Sequence, residues 1–450
     1  MEHIAGIPFF EIEFDKEGAL HTPDALDEAA DFVRDEAMTD LMVFSHGWNN
    51  DKADARALYE AFLASVAALL SAGAAVGMAD RRLAFLGVYW PSKRFTDSEL
   101  IPGGAASLGD SEGSDDLLEI LDGLKTEPVL LGDERPIGQV QIEAIERAKA
   151  LVSDLETDSG ARREFVEQLR AILSPAEAHA DDGSDRFFSR SPEDLFDEAA
   201  APVPLPDEDL GDAGGAAGGL GGFGDFGDQG GAAGIGDLFS GVTAAGRRLL
   251  NFTTYYRMKA RAGTVGSRGL APALAQIREL APSARLHLVG HSFGARVVTA
   301  AVSALPAGIT VDSLSLLQAA FSHNAFAERF DGTHDGFFRP VVTEHRVEGP
   351  IIITYTRNDK AVGIAYPLAS RVAGQNAAGF GERDDPYGGL GRNGAVSTPE
   401  AVERTLETVG FAYGFTGDVL YNLKADRFVD SHGAVTGQAV AYSVMSAAAA

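Results

Sequence analysis

Three residues have types and an order suited to nucleophilic catalysis: Ser292, Asp359 and His432. Ser292 is the centre of Gly290-His291-Ser292-Phe293-Gly294, a G-x-S-x-G pentapeptide. A serine hydroxyl is a weak nucleophile unless a base takes its proton. That base is a histidine whose tautomer a carboxylate fixes. The order serine, acid, histidine is one of three in which such a triad occurs along a chain. His432 lies in a Ser-His-Gly turn after the last strand pattern, and Asp359 follows the β-branched run Ile351 to Thr356. His323, His334 and His345 precede Asp359 and break the order. Asp384 and Asp385 are reserve acids within a loop, and Asp430 is too near His432 in sequence to orient it.

The elements around the pentapeptide give it meaning. Leu286, Leu288 and Val289 predict a short buried strand, and the small and apolar residues from Arg296 to Val302 predict a buried helix. A sharp strand-to-helix turn lifts its central hydroxyl clear of the sheet. Gly290 and Gly294 let strand and helix approach, and the helix N-terminus favours a developing oxyanion. The backbone N–H of Phe293 is one expected oxyanion donor. The second is the N–H of Trp48 in His46-Gly47-Trp48, just after the strand pattern Leu41 to Phe44. Gly47 permits the turn and His46 braces it. Trp48 and Trp90 read either as walls of an acyl pocket or as core.

Further strands are predicted over Ile7 to Phe14 (an edge strand), Leu83 to Trp90, Ser313 to Leu317, Asp418 to Leu423 and Arg427 to Val429. Helices are predicted over 22–37, with Thr22 as cap, and over 53–72, 245–262 and 270–280. The basic helix 245–262 reads as a surface element, and 327–345 and 373–400 as loops. Strands alternating with helices imply a mostly parallel sheet flanked by helices.

Between 97 and 240 there are 33 acidic residues against 9 basic ones, most of the chain's net charge of −29. This acidic stretch reads as an insertion that divides the sheet domain into 1–96 and 241–450. Helical segments are predicted over 137–155 and 161–173 within it. Residues 211–236 contain 13 glycines, so 202–240 reads as a disordered linker. The acidic balance argues against nucleic acid and anionic membrane surfaces as partners. With no cysteine, thiolate metal sites and disulfides are excluded. No signal-peptide or membrane-spanning pattern is present, and a cytoplasmic location is expected.

Together these residues resemble the α/β-hydrolase superfamily over 1–96 and 241–450. Ser-His-Gly-Trp-Asn-Asn and Trp-Pro-Ser look like segments of uncharacterised bacterial hydrolases of this fold. The resemblance implies a triad of Ser292, Asp359 and His432 and an acyl-enzyme hydrolysed by water, without metal or organic cofactor. The motifs are not specific for a substrate; the first reading is a serine hydrolase acting on a small-molecule ester or thioester. Cap domains in this fold commonly follow the sixth strand, whereas the acidic insertion precedes the elbow. A peptidase or amidase of the same fold shares the triad chemistry, and a noncatalytic interaction protein using the insertion is a further alternative.

Overall fold

The computed structural model describes residues 2–48, 50–92, 117–125, 138–200, 241–365 and 383–450. The chain forms two compact units. One comprises Met1–Ser92, Lys259–Val362 and Gly389–Ala450; the other comprises Lys93–Met258 and Gly363–Gly388.

The first unit is an α/β structure around a nine-stranded sheet: β1 (Glu2–Ile4), β2 (Ile7–Glu13), β3 (Asp40–Ser45), β4 (Leu83–Tyr89), β5 (Arg285–His291), β6 (Ser313–Leu317), β7 (Ile351–Tyr355), β8 (Ala401–Thr405) and β9 (Leu420–Lys424). Their spatial order is β1-β2-β4-β3-β5-β6-β7-β9-β8. Every neighbouring pair is parallel except β1 with β2. A parallel sheet needs helices on both faces, and its strands therefore read as continuous apolar runs. β3, β4 and β6 are buried along their whole length.

Met42 and Phe44 share a core with Tyr59, Phe62 and Val66 of helix Lys52–Ser71 and with Val440 and Met445 of helix Gln438–Ala448. Alternation along the strand sends Leu41 and Val43 to the other face. Helix Lys52–Ser71 starts at a reciprocal cap. Asp51 accepts from the N–H groups of Ala53 and Asp54, and Asp54 accepts from the N–H of Asp51.

The register carries the positional information. Ser45 pairs with Gly290, His291 with Leu317, Leu317 with Thr354, and Tyr355 with Lys424. The carboxyl ends of β3, β5, β6, β7 and β9 therefore lie along one edge. The segments carrying Trp48, Ser292, Asp359 and His432 all leave the sheet there, where open α/β sheets hold ligands.

Several sequence expectations need correction. Ile7–Glu13 is not an edge strand, because β1 covers it. Thr22 does not cap its helix; its hydroxyl accepts from the N–H of Glu13. Residues 427–429 form no strand, a turn occupying 426–428, and β8 was not anticipated. Within 327–345 a short helix forms at Arg339–Thr343. The described part of the expected surface loop, 383–400, buries Tyr387, Leu390, Asn393 and Ala395. The basic helix spans Val242–Thr264, and Arg248, Lys259 and Arg261 are buried rather than solvated. Arg248 donates to Ala199 O, and Arg261 to Pro91 O. Their charged heads meet carbonyls instead of water.

The second unit has its own core. Phe165, Leu169, Phe187, Leu195 and Phe196 pack with Leu249, Leu250, Phe252 and Tyr256. Helices Gln139–Leu151 and Ser159–Ile172 belong to this unit. It continues past residue 240 to Met258, because the apolar face of helix Val242–Thr264 completes that core. It also takes in Gly363–Gly388. The glycine-rich stretch 202–240 lies outside the described residues. Among the described residues no helix is long and apolar enough to cross a membrane.

Candidate active site

Ser292 sits between the last residue of β5 and the first residue of helix Phe293–Ala304, with φ 57° and ψ −123°. That region is sparsely populated for a residue with a Cβ, and it persists only where the surroundings enforce it. Here they do. Ser292 N donates to Leu317 O at 3.0 Å, and Ser292 O accepts from Ala295 N at 3.1 Å and Ala320 N at 3.2 Å. The two flanking glycines are required by space. A Cβ on Gly290 would lie 2.4 Å from Ala295 Cα, and one on Gly294 would lie 2.1 Å from Ser45 O. A second match to the same five-residue pattern, Gly109 to Gly113, lies outside the described residues.

His432 Nε2 is 2.9 Å from Ser292 Oγ, and His432 Nδ1 is 2.8 Å from Asp359 Oδ2. A carboxylate can only accept, so Nδ1 carries the proton and Nε2 presents its lone pair to the serine O–H. Asp359 is fully buried, and its Oδ1 accepts the N–H of Val362 at 2.9 Å. Both carboxylate oxygens are thus committed, one to backbone and one to imidazole. The His432 side chain keeps 17% of its surface exposed.

The His432 segment is irregular, and residues just past β7 and at the end of β5 hold it. Asn358 Nδ2 donates to Asp426 O at 2.9 Å and to Val429 O at 2.8 Å. Arg357 N donates to Asp426 Oδ1. From β5, His291 Nε2 lies 2.9 Å from His432 O. Asn358 was not singled out in the sequence. Its place directly before the acid, at a strand end, was the available signal.

The turn after β3 is braced as densely. His46 is buried, and burial holds its imidazole down to about 4, against a hydrogen bond to Gly47 O that favours the charged form. The neutral ring donates from Nδ1 to Gly47 O at 2.9 Å and accepts at Nε2 from Trp90 N at 3.3 Å. Trp90 stacks on this ring at 5.7 Å and donates its indole N–H to His46 O. Trp90 is therefore core beside His46 rather than an exposed pocket wall. The N–H of His46 is taken by Tyr59 Oη, which removes it as an oxyanion donor. Asn50 Nδ2 donates to both Gly47 O and Trp48 O. In a trans peptide the N–H points opposite its carbonyl, so fixing Gly47 O also fixes the Trp48 N–H, directed away from Asn50. Gly47 lies against Ser292: a Cβ there would lie 2.7 Å from Ser292 Cβ. The Trp48 and Phe293 rings meet edge to face at 5.7 Å, so the two expected donors belong to adjoining residues.

The rival groups are elsewhere engaged. His323 pairs with Asn393, His334 with Asp331, and His345 with Asp418. Asp385 accepts the Tyr387 N–H, Asp384 is exposed, and Asp430 accepts from the Ser431 hydroxyl. Among the described residues no cluster of three or more His, Cys, Asp or Glu side chains could hold a metal ion. Comparisons with protein-family models, curated proteins and solved structures find no match to this chain.

Proposed function

We propose that this protein is a serine hydrolase of the α/β-hydrolase type that cleaves a carboxylic ester or thioester. The observation that carries the reading is the unbroken relay from Ser292 Oγ through His432 to Asp359, at 2.9 Å and 2.8 Å, on a serine held at φ 57°. A strand-turn-helix serine and the chain order serine, aspartate, histidine are the features that define this class.

Ser292 Oγ attacks the substrate carbonyl carbon while His432 Nε2 takes its proton. The carbonyl π pair moves to oxygen, where the N–H groups of Phe293 and Trp48 receive the charge. The oxyanion then reforms the carbonyl and expels the alcohol or thiol, which takes the proton from His432. Water attacks the resulting acyl-Ser292 ester in the same sequence, releasing the acid and restoring the serine hydroxyl. Asp359 keeps the imidazole in the productive tautomer and stabilises the imidazolium formed in each half.

A panel of nitrophenyl esters, acyl thioesters and anilides, run with the protein and with Ser292→Ala, tests this reading. Turnover of an ester or thioester with a pre-steady-state burst, absent in the variant, is expected. Anilide turnover without ester turnover would replace the esterase assignment with an amidase. No turnover and no burst on any member would remove the reading.

A further inference from the structure

Within this serine-hydrolase reading, we infer that His291 is a positioning residue that ties the base to the nucleophile by gripping the main chain of His432. A base works only within hydrogen-bond reach of the proton it takes, and an error of about 1 Å can cost on the order of 100-fold. His432 belongs to no helix or strand. Its ring is fixed by the two bonds of the relay itself, one of which must be remade during each turnover. Its backbone therefore needs an anchor independent of the chemistry.

His291 supplies that anchor. It is the last residue of β5, directly before Ser292, and 7% exposed. Its Nε2 is 2.9 Å from His432 O, and a carbonyl accepts only, so Nε2 carries the proton and donates. The two imidazoles lie 4.9 Å apart at 41°. The tie connects residues adjacent to and within the relay, so a shift of the nucleophile strand carries the base with it.

The ring also has to remain neutral. Its Nδ1 is buried without a hydrogen-bond partner and faces Gly47, whose Cβ position would be 3.3 Å away. Burial first, and then the neighbouring His432 and His46, hold His291 down to about 3. A neutral donor grips the carbonyl without placing a second positive charge beside the imidazolium that His432 becomes. A lysine or arginine in its place would oppose that charge.

The test compares His291→Gln, His291→Asn and His291→Phe. Glutamine extends an N–H to roughly the reach of Nε2, asparagine falls short, and phenylalanine keeps the ring volume without a donor. Three readings are taken: the rate of fluorophosphonate labelling at Ser292, kcat and KM on an ester, and the downfield proton resonance of the His432 N–H bonded to Asp359. The Asn and Phe variants should label on the order of 10- to 100-fold more slowly. KM should hold within about twofold, and the resonance should be broadened or lost. The Gln variant should recover most of the rate and the resonance. If the Phe variant does not fold, the Asn–Gln contrast decides. Equal rates and equal resonances in those two variants, or a Phe variant that labels at the wild-type rate, would overturn the inference. Should the unmodified protein neither label nor turn over, the hydrolase reading falls, while the resonance still reports whether His291 orders His432.

Discussion

Replacing Asp359 by asparagine should slow fluorophosphonate labelling of Ser292 by on the order of 10⁴-fold, and the surroundings of the carboxylate explain why. Val362 N donates to Asp359 Oδ1 at 2.9 Å, while His432 Nδ1 faces Oδ2 at 2.8 Å. An asparagine keeps its oxygen toward the Val362 N–H, because the flipped amide would set two buried donors face to face at a cost of about 1–3 kcal/mol. Its NH₂ group then points at His432 Nδ1 and can only donate. The imidazole must turn its lone pair to Nδ1 and carry its proton on Nε2, where it meets Ser292 Oγ as a donor instead of a base. Regaining the productive tautomer costs that same 1–3 kcal/mol, or roughly one to two decades. The lost attraction between carboxylate and imidazolium adds about 4 kcal/mol for charges roughly 4 Å apart at an effective dielectric near 20, close to three more decades. Asp359→Ala imposes no tautomer and should be no slower than Asp359→Asn. The assay is the second-order labelling rate at pH 7, with circular dichroism to verify the fold. A folded Asp359→Asn protein that labels within tenfold of the unmodified chain would refute the tautomer reasoning.

Other substitutions test the scaffold. Gly47→Ala sets a Cβ 2.7 Å from Ser292 Cβ, and labelling should drop by on the order of 100-fold with the fold retained. Gly294→Ala drives a methyl to 2.1 Å from Ser45 O, against backbone, and should appear as a lowered melting temperature or a failure to fold. At the opposite ends of the strands lies a second Ser–His–Asp chain of hydrogen bonds. Ser313 Oγ is 2.8 Å from His287 Nδ1, and His287 Nε2 is 2.8 Å from Asp40, which Arg81 also engages at 2.6 Å. Ser313, His287 and Asp40 are all buried, so this chain serves stability. Asp40→Asn leaves Arg81 without its counter-charge and should cost about 3–5 kcal/mol, lowering the melting temperature by on the order of 10 °C. Burial pushes the Asp40 carboxyl up, but hydrogen bonds from His287 and Thr39 and the charges of His287 and Arg81 outweigh it, and the net direction is down from 3.8. A lowered value in the folded state stabilises above the unfolded value and is lost as pH falls through the folded one. The urea midpoints of the protein and Asp40→Asn should therefore differ most near pH 7 and draw together as pH falls below 3.8 through the lowered folded value.

The parts of the site visible in the sequence are those with local causes. Gly290 is demanded by a contact within the strand-turn-helix unit, with Ala295, so pattern and cause coincide there; Gly294 is demanded by the neighbouring β3, at Ser45 O. Asp359 was marked by the β-branched strand before it, and His432 by its place after the last strand pattern. The chain beyond that depends on tertiary partners. The hydroxyl of Thr22 has the chemistry of a cap, yet the N–H of Glu13 takes it. β8 has an exposed second half and a polar sequence, and only its parallel pairing with β9 makes it a strand. Arg248, Lys259 and Arg261 look solvated by charge, and no periodicity announces that carbonyls receive two of them. Asn358 and His291 act through backbone carbonyls about 70 and 140 residues away, a relation that spacing cannot encode.

The most direct measurement of the central claim is fluorophosphonate labelling followed by peptide mass mapping, with Ser292→Ala and His432→Ala alongside. A single label on the peptide containing Ser292, lost in both variants while their folds persist, is the expected result. A folded protein that takes no label, or takes it at another serine, or a His432→Ala protein that labels as fast as the original, would contradict an activated Ser292.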